Sequence, residues 1–325
     1  MGWMRSRTQN FVTLIPMEDM VAAAPQLQVL EATVTCDCAV APALMRGEPP
    51  FGALRLREIR VALADFLGWV GLERFSPFLA TLADAALQPA LASVQLYNAG
   101  LAQPQVMDAL VDAALARRLR GLKLSRCTPP GATSLARLLR GGALAELEMY
   151  ETLQLDAPGG AVLADALRAT TTLTRLRLDG NHLYINAAPA RAVLDALVGH
   201  ASLRHISVTS ELSKGALDLG AVLAALLEAD APALHELCAF NNSLGDAGAK
   251  AMVAALPRCH HLRDLNISFN GLSEAFAHDV LLPALRANAS LRRLECTHGD
   301  GRRVFYPSRI FAQAMDLVAE RGPPS

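Results

Sequence analysis

Leucines recur along this chain in a fixed relation to one another, and the spacing changes character partway through each recurrence. In "LTRLRLDGNHL" from Leu173 the residues follow L-x-x-L-x-L-x-x-N-x-L without a miss, and "LRDLNISFNGL" from Leu262 follows it with Ile267 for one leucine. "LHELCAFNNSL" from Leu234 fits with Ala239 as the one small substitution. Within the motif apolar and polar side chains alternate, the period of a strand. Beyond it, stretches such as "AVLADALRATTT" and "AVLDALVGHAS" place apolar residues at i, i+3 and i+4, the period of a helix. Weaker copies start at Leu27, Leu56, Leu91, Leu119, Leu144, Leu203 and Leu291. The ten starts lie 29, 35, 28, 25, 29, 30, 31, 28 and 29 residues apart, a register that chance clustering of leucine does not hold. Each unit reads as one short strand, a turn and one helix.

One such unit cannot bury both its strand leucines and its helix face, so neighbours must stack and share a core. The Asn of the template has a structural role, because its amide can bond backbone groups left unpaired where the chain leaves the strand. Asn181, Asn242 and Asn270 are the expected ladder residues, with Cys127 a weaker occupant of the same place. Gly245 and Gly248 are expected to ease the passage from strand to helix.

These motifs resemble the leucine-rich repeat proteins over about residues 27–300, and the period together with "NSLGDAGAKAMVAAL" is similar to the ribonuclease-inhibitor-like subclass. The resemblance implies an α/β solenoid, a horseshoe with parallel strands on its concave face and helices on its convex face. Residues 27–302 form that solenoid on this reading. Residues 1–26 are a compact cap or a degenerate earlier repeat, unless upstream units are missing. Residues 303–325 supply a capping helix, opened by Pro307, and a polar tail. The long unit at 56–90 carries Phe66, Trp69, Phe75 and Phe78, read as a hydrophobic plug or an exposed docking loop.

With the template leucines inward, the alternating positions project from the concave face. The first such row runs Gly121, Glu146, Arg175, His205, Glu236, Asp264, Arg293. The second runs Lys123, Glu148, Arg177, Ser207, Cys238, Asn266, Glu295, and the third Tyr97, Ser125, Tyr150, Asp179, Thr209, Phe240, Ser268, Thr297. Lys123, Glu148 and Arg177 alternate in sign and suit a ladder of cross-strand ion pairs, each about 0.2–1 kcal/mol. Aromatics facing a partner are frequent binding hot spots, so Tyr97, Tyr150 and Phe240 join Lys123, Glu148, Arg177 and His205 as candidate partner-binding residues.

Composition narrows the chemistry. Thirty basic residues against 31 acidic ones leave none of the cationic surplus that nucleic-acid binding uses. The six cysteines are too sparse for a disulfide scaffold, and no apolar run is long enough for a membrane span. A cytoplasmic setting follows, without ruling out the nucleus. "MGWMRS" fits the loose N-myristoylation pattern, but bulky Trp3 beside Gly2 disfavours it. Cys36-x-Cys38 lacks a second pair at zinc spacing, and Cys259, His260 and His261 read as core and turn. No phosphate loop, nucleophile elbow or zinc-protease motif is present. His205, Ser207 and Glu236 could be neighbours in the manner of a base–nucleophile–acid group, which only geometry can test.

The expected function is a non-catalytic module, with no cofactor or metal, that binds a protein or peptide on the concave face. The resemblance also admits a GTPase activator similar to the Ran GTPase-activating proteins, or the substrate-recognition part of an F-box ubiquitin-ligase receptor. The first has no activator-specific residue here; for the second, "LIPMEDMV" resembles an F-box opening, but the repeats begin too soon for the whole module.

Overall fold

A computed structural model describes residues 30–37, 40–48, 54–62, 72–209, 218–297 and 308–322. The expected N-terminal cap at 1–26, Phe66, Trp69 and Pro307 lie outside the described residues, as do the side chains of Cys36 and Cys38.

Ten parallel strands form one sheet in strict chain order. They are β1 (Leu30–Asp37), β2 (Leu54–Ala62), β3 (Ser93–Tyr97), β4 (Gly121–Ser125), β5 (Glu146–Tyr150), β6 (Arg175–Asp179), β7 (His205–Ser207), β8 (Glu236–Cys238), β9 (Asp264–Asn266) and β10 (Arg293–Glu295). A helix follows each strand where the chain is described, among them Pro104–Arg117, Ala132–Arg140, Ala157–Ala169, Ala187–Asp195, Leu219–Glu228 and Gly245–Ala255. Strands stand about 4.8 Å apart and packed helices about 8–10 Å apart. Joining the two layers unit by unit therefore bends the stack, with the sheet on the inner, concave side.

The inward template positions build the core. Leu122, Leu147, Leu176, Ile206, Leu237 and Leu265 are each no more than 1% exposed, and stack from strand to strand in register. Phe75 and Phe78 are buried in the same core with stacked rings 5.7 Å apart. Those two aromatics of the long unit are therefore packing, not a docking loop. At the far end, the helix Arg309–Ala319 lays Phe311, Ala314 and Val318 on the last repeat and presents Arg309, Gln313, Asp316 and Glu320 outward.

The Asn side chains tie repeat to repeat. Asn181 accepts from the backbone N–H of Thr152 (2.8 Å) and Leu153 (2.7 Å) and donates to the Met149 carbonyl (2.9 Å). Asn270 accepts from Asn242 N–H and donates to the Ala239 carbonyl, while Asn242 donates to the Val208 carbonyl. Thr152 holds the equivalent place one repeat before Asn181: it accepts from Cys127 N–H, and its single hydroxyl proton is within reach of the Tyr150 (2.8 Å) and Leu124 (3.3 Å) carbonyls.

A second ladder runs along the opposite edge, three residues before the first template leucine. His200 bonds the Leu167 carbonyl through Nε2 and receives the N–H groups of Ser202 and Leu203 at Nδ1. Cys259 donates to the Leu227 carbonyl, and Asn288 to those of Leu256 and Cys259. Each polar atom closes the end of the preceding helix, where carbonyls lack intrahelical partners. Gly245 adopts φ +61° at the strand-to-helix turn. Gly248 has another part from the one expected of it: it sits inside Gly245–Ala255, where its carbonyl oxygen lies 2.0 Å from where a Cβ on Gly220 would stand.

Candidate functional site

Of the three rows expected on the concave face, the strand register aligns the first two along the sheet and the third from Tyr97 to Asp179, the later strands ending before it. Glu146 pairs with Arg175, Arg175 with His205, His205 with Glu236 and Glu236 with Asp264. Lys123, Glu148 and Arg177 likewise stand opposite one another. On β5 and β6 the template positions are buried while Glu146, Glu148, Arg175 and Arg177 keep contact with solvent.

Their contacts differ from a simple alternating ladder. Lys123 reaches Glu148 only at 3.9 Å, and Glu148 reaches Arg177 at 3.8 Å. Arg177 instead holds Asp179, two residues on in its own strand, through Nε (3.0 Å) and a second guanidinium nitrogen (2.9 Å). Burial lowers the Arg177 pKa, but Asp179 and Glu148 outweigh it and leave the guanidinium above its ordinary value. Asp179 is buried and also accepts from the Ser207 hydroxyl at 2.7 Å. Asp179, Thr209 and Ser268 of the third row and Ser207 of the second are all buried. Alternation alone points them outward, yet neighbouring side chains cover them. Ser207 donates to Asp179, while His205 Nδ1 lies 2.5 Å from Glu236 Oε2. The bonds thus run in two separate pairs and do not form a serine–histidine relay.

The aromatics remain half-exposed. Tyr97 receives a hydrogen bond at its hydroxyl from Arg126 (3.0 Å), whose guanidinium carbon stands 6.0 Å from the ring centroid. Arg126 also pairs with Glu151 at 2.8 Å. Tyr150 stands in register between Ser125 and Asp179. Phe240 meets Phe269 edge to face, centroids 5.1 Å apart. Phe269 is not among the residues that strand alternation selects, because it follows the third row by one residue. Its backbone takes φ +60°, as the equivalent Arg126 (+54°), Glu151 (+47°) and Asn241 (+54°) also turn left-handed at the strand end. That turn, invisible to a strict two-residue alternation, carries an extra side chain to the rim in each of these repeats.

Between β7 and β10 the face sinks into a pocket lined by His205, Glu236, Cys238, Asp264, Asn266, Arg293 and Glu295. Glu295 is held by Asn266 (2.5 Å) and by Arg293. Burial first, then the charges of Glu236 and Glu295, push the Asp264 carboxyl above its ordinary value against the pull of Arg293 and His205. Among the described residues no three His, Cys, Asp or Glu side chains are placed to hold a metal ion. No described helix is long and apolar enough to cross a membrane.

No family model matches the chain. A ribonuclease inhibitor from Sus scrofa is 32% identical over 167 residues, covering 47% of this chain and 34% of that protein. The chain thus spans about a third of the length of the curated relative it matches. A chain of the yeast Rad7–Elc1 complex aligns over 90% of this chain and 86% of its own at 13% identity, with a TM-score of 0.43. A Bacteroides fragilis protein covers 80% and 69% at 12% identity and 0.42. The repeat register and the ten parallel strands in chain order, alternating with helices, give this chain the α/β fold of a leucine-rich repeat solenoid, similar over the matched stretch to a ribonuclease inhibitor.

Proposed function

We propose that the chain is a non-catalytic module of the cytoplasm that binds a protein or peptide on the concave face of its sheet. The observation that carries this reading is the line of half-exposed aromatics, Tyr97, Tyr150 and Phe240, on the side that the helices leave open. Lys123, Glu148, Arg177 and His205 stand beside them as polar contacts. A stacked solenoid holds such a surface rigid, so little conformational entropy is lost on docking. The matched relative is by name an inhibitor of another protein, which fits a binding role. Chemistry has little to start from: the buried thiols of Cys127, Cys259 and Cys296 are pushed up to about 11, 11 and 12, away from the thiolate a nucleophile needs.

The test is affinity capture with the whole chain beside a Tyr97→Ala, Tyr150→Ala, Phe240→Ala triple variant. The variant is expected to melt as a folded protein and to lose a partner at least about 30-fold, since one hot-spot truncation alone costs about 2 kcal/mol. Partners retained equally by the folded variant would move the binding surface elsewhere.

A further inference from the structure

The pocket between β7 and β10 and the Phe240–Phe269 pair share one stretch of the concave face, and together they select a partner. The pocket encloses about 250 Å³. Its wall brings three carboxylates, Glu236, Asp264 and Glu295, against the single guanidinium of Arg293 among its lining residues. Two of the three are already engaged: Glu236 by His205, and Glu295 by Asn266 and Arg293. Asp264 stands between Glu236 and Arg293 in the register, and its carboxylate has no hydrogen-bond partner among the described residues. Four residues along the chain from Glu236, Phe240 meets Phe269 edge to face, which leaves ring surface open to an alkyl or aromatic group. At about 3.3 Å per residue the two features lie about 13 Å apart.

Resting on the concave-face reading above, we propose that this stretch takes a partner segment bearing an arginine or lysine about 13 Å from an apolar side chain. The cation enters the pocket beside Asp264, and the apolar group packs on Phe240 and Phe269. Charge complementarity sets the sign of the partner: three carboxylates outnumber the one guanidinium in the pocket wall, and a further carboxylate brought to it would be repelled by Asp264, which no hydrogen-bond donor among the described residues covers. A guanidinium or ammonium supplies the donors that Asp264 lacks, and a charged hydrogen bond of that kind strengthens binding about tenfold or more. The alkyl stem of the same residue leads out along the apolar side of the face.

A random dodecapeptide library displayed on phage, selected on the immobilised whole chain, tests this directly. Selected peptides are expected to be enriched in Arg or Lys with Leu, Met or an aromatic three to five residues away, and to weaken as salt is raised. Against Asp264→Asn, a near-isosteric change monitored for folding by its melting curve, their affinity is expected to fall about tenfold. Phe240→Ala is expected to weaken the same peptides independently. Selection of acidic or uncharged peptides, no selection at all, or unchanged affinity in Asp264→Asn would overturn the proposal. Uncharged peptides released by the Tyr97, Tyr150, Phe240 triple variant would sink this proposal alone, whereas peptides indifferent to that variant would sink the concave-face reading as well.

Discussion

Asn181 joins two repeats through the atoms of one amide, two backbone N–H groups on its oxygen and one carbonyl on its nitrogen. All of them are buried, so removing the amide strands them without water. Asn181→Ala is expected to cost about 3 kcal/mol in a urea titration, and a loss below about 1 kcal/mol would mean that solvent reaches the turn. Asp264 makes the opposite case. Because its folded-state pKa is raised, its contribution to stability is fully present below the unfolded value near 3.8 and is lost as pH rises through the folded value. Asp264→Asn is therefore expected to stabilise the chain at neutral pH, with the gain disappearing on acidification below that range. Paired denaturation curves at the two pH values decide it, and a destabilised variant at pH 7 would mean that the carboxylate is a structural partner after all. The ladder asparagines were legible in the sequence because one residue type recurs at one template place. Thr152 was not, since a hydroxyl meets the same backbone groups with a different side chain.

At the scale of elements, strands and helices were legible because each rests on a burial period. Their close approaches were not. Gly248 reads as turn chemistry beside Gly245, yet it lies within Gly245–Ala255, and it is Gly220, facing the Gly248 carbonyl, that lets Leu219–Glu228 approach backbone to backbone. No Cβ tolerates 2.0 Å from a carbonyl oxygen, so Gly220→Ala must push the two helices apart. Overpacking of this kind is expected to cost about 2 kcal/mol, measured as a lower denaturant midpoint with unchanged slope. An unaffected midpoint would show that the helix pair shifts freely. The second ladder was equally hidden. His200, Cys259 and Asn288 share a place in the repeat and close the same helix ends, but they differ in residue type, and spacing alone cannot recognise a shared role.

For the whole molecule, the register of the first two rows was legible, because parallel strands of one repeat length stay aligned across the sheet. What each outward residue does was not. The same row holds an exposed Arg177 and a buried Ser207, and only the neighbour's reach decides between them. The strand order has one more consequence. Every sheet contact joins a strand to the next in the chain, and no described pairing binds an early unit to a late one. Such a stack behaves mechanically as a coil spring: a fraction of a degree at each joint adds up along its length, so the two tips can open or pinch together while every local bond persists. On the concave-face reading proposed above, grip on a guest of a given girth would then depend on accumulated joint angles, adjustable far from the residues that do the touching.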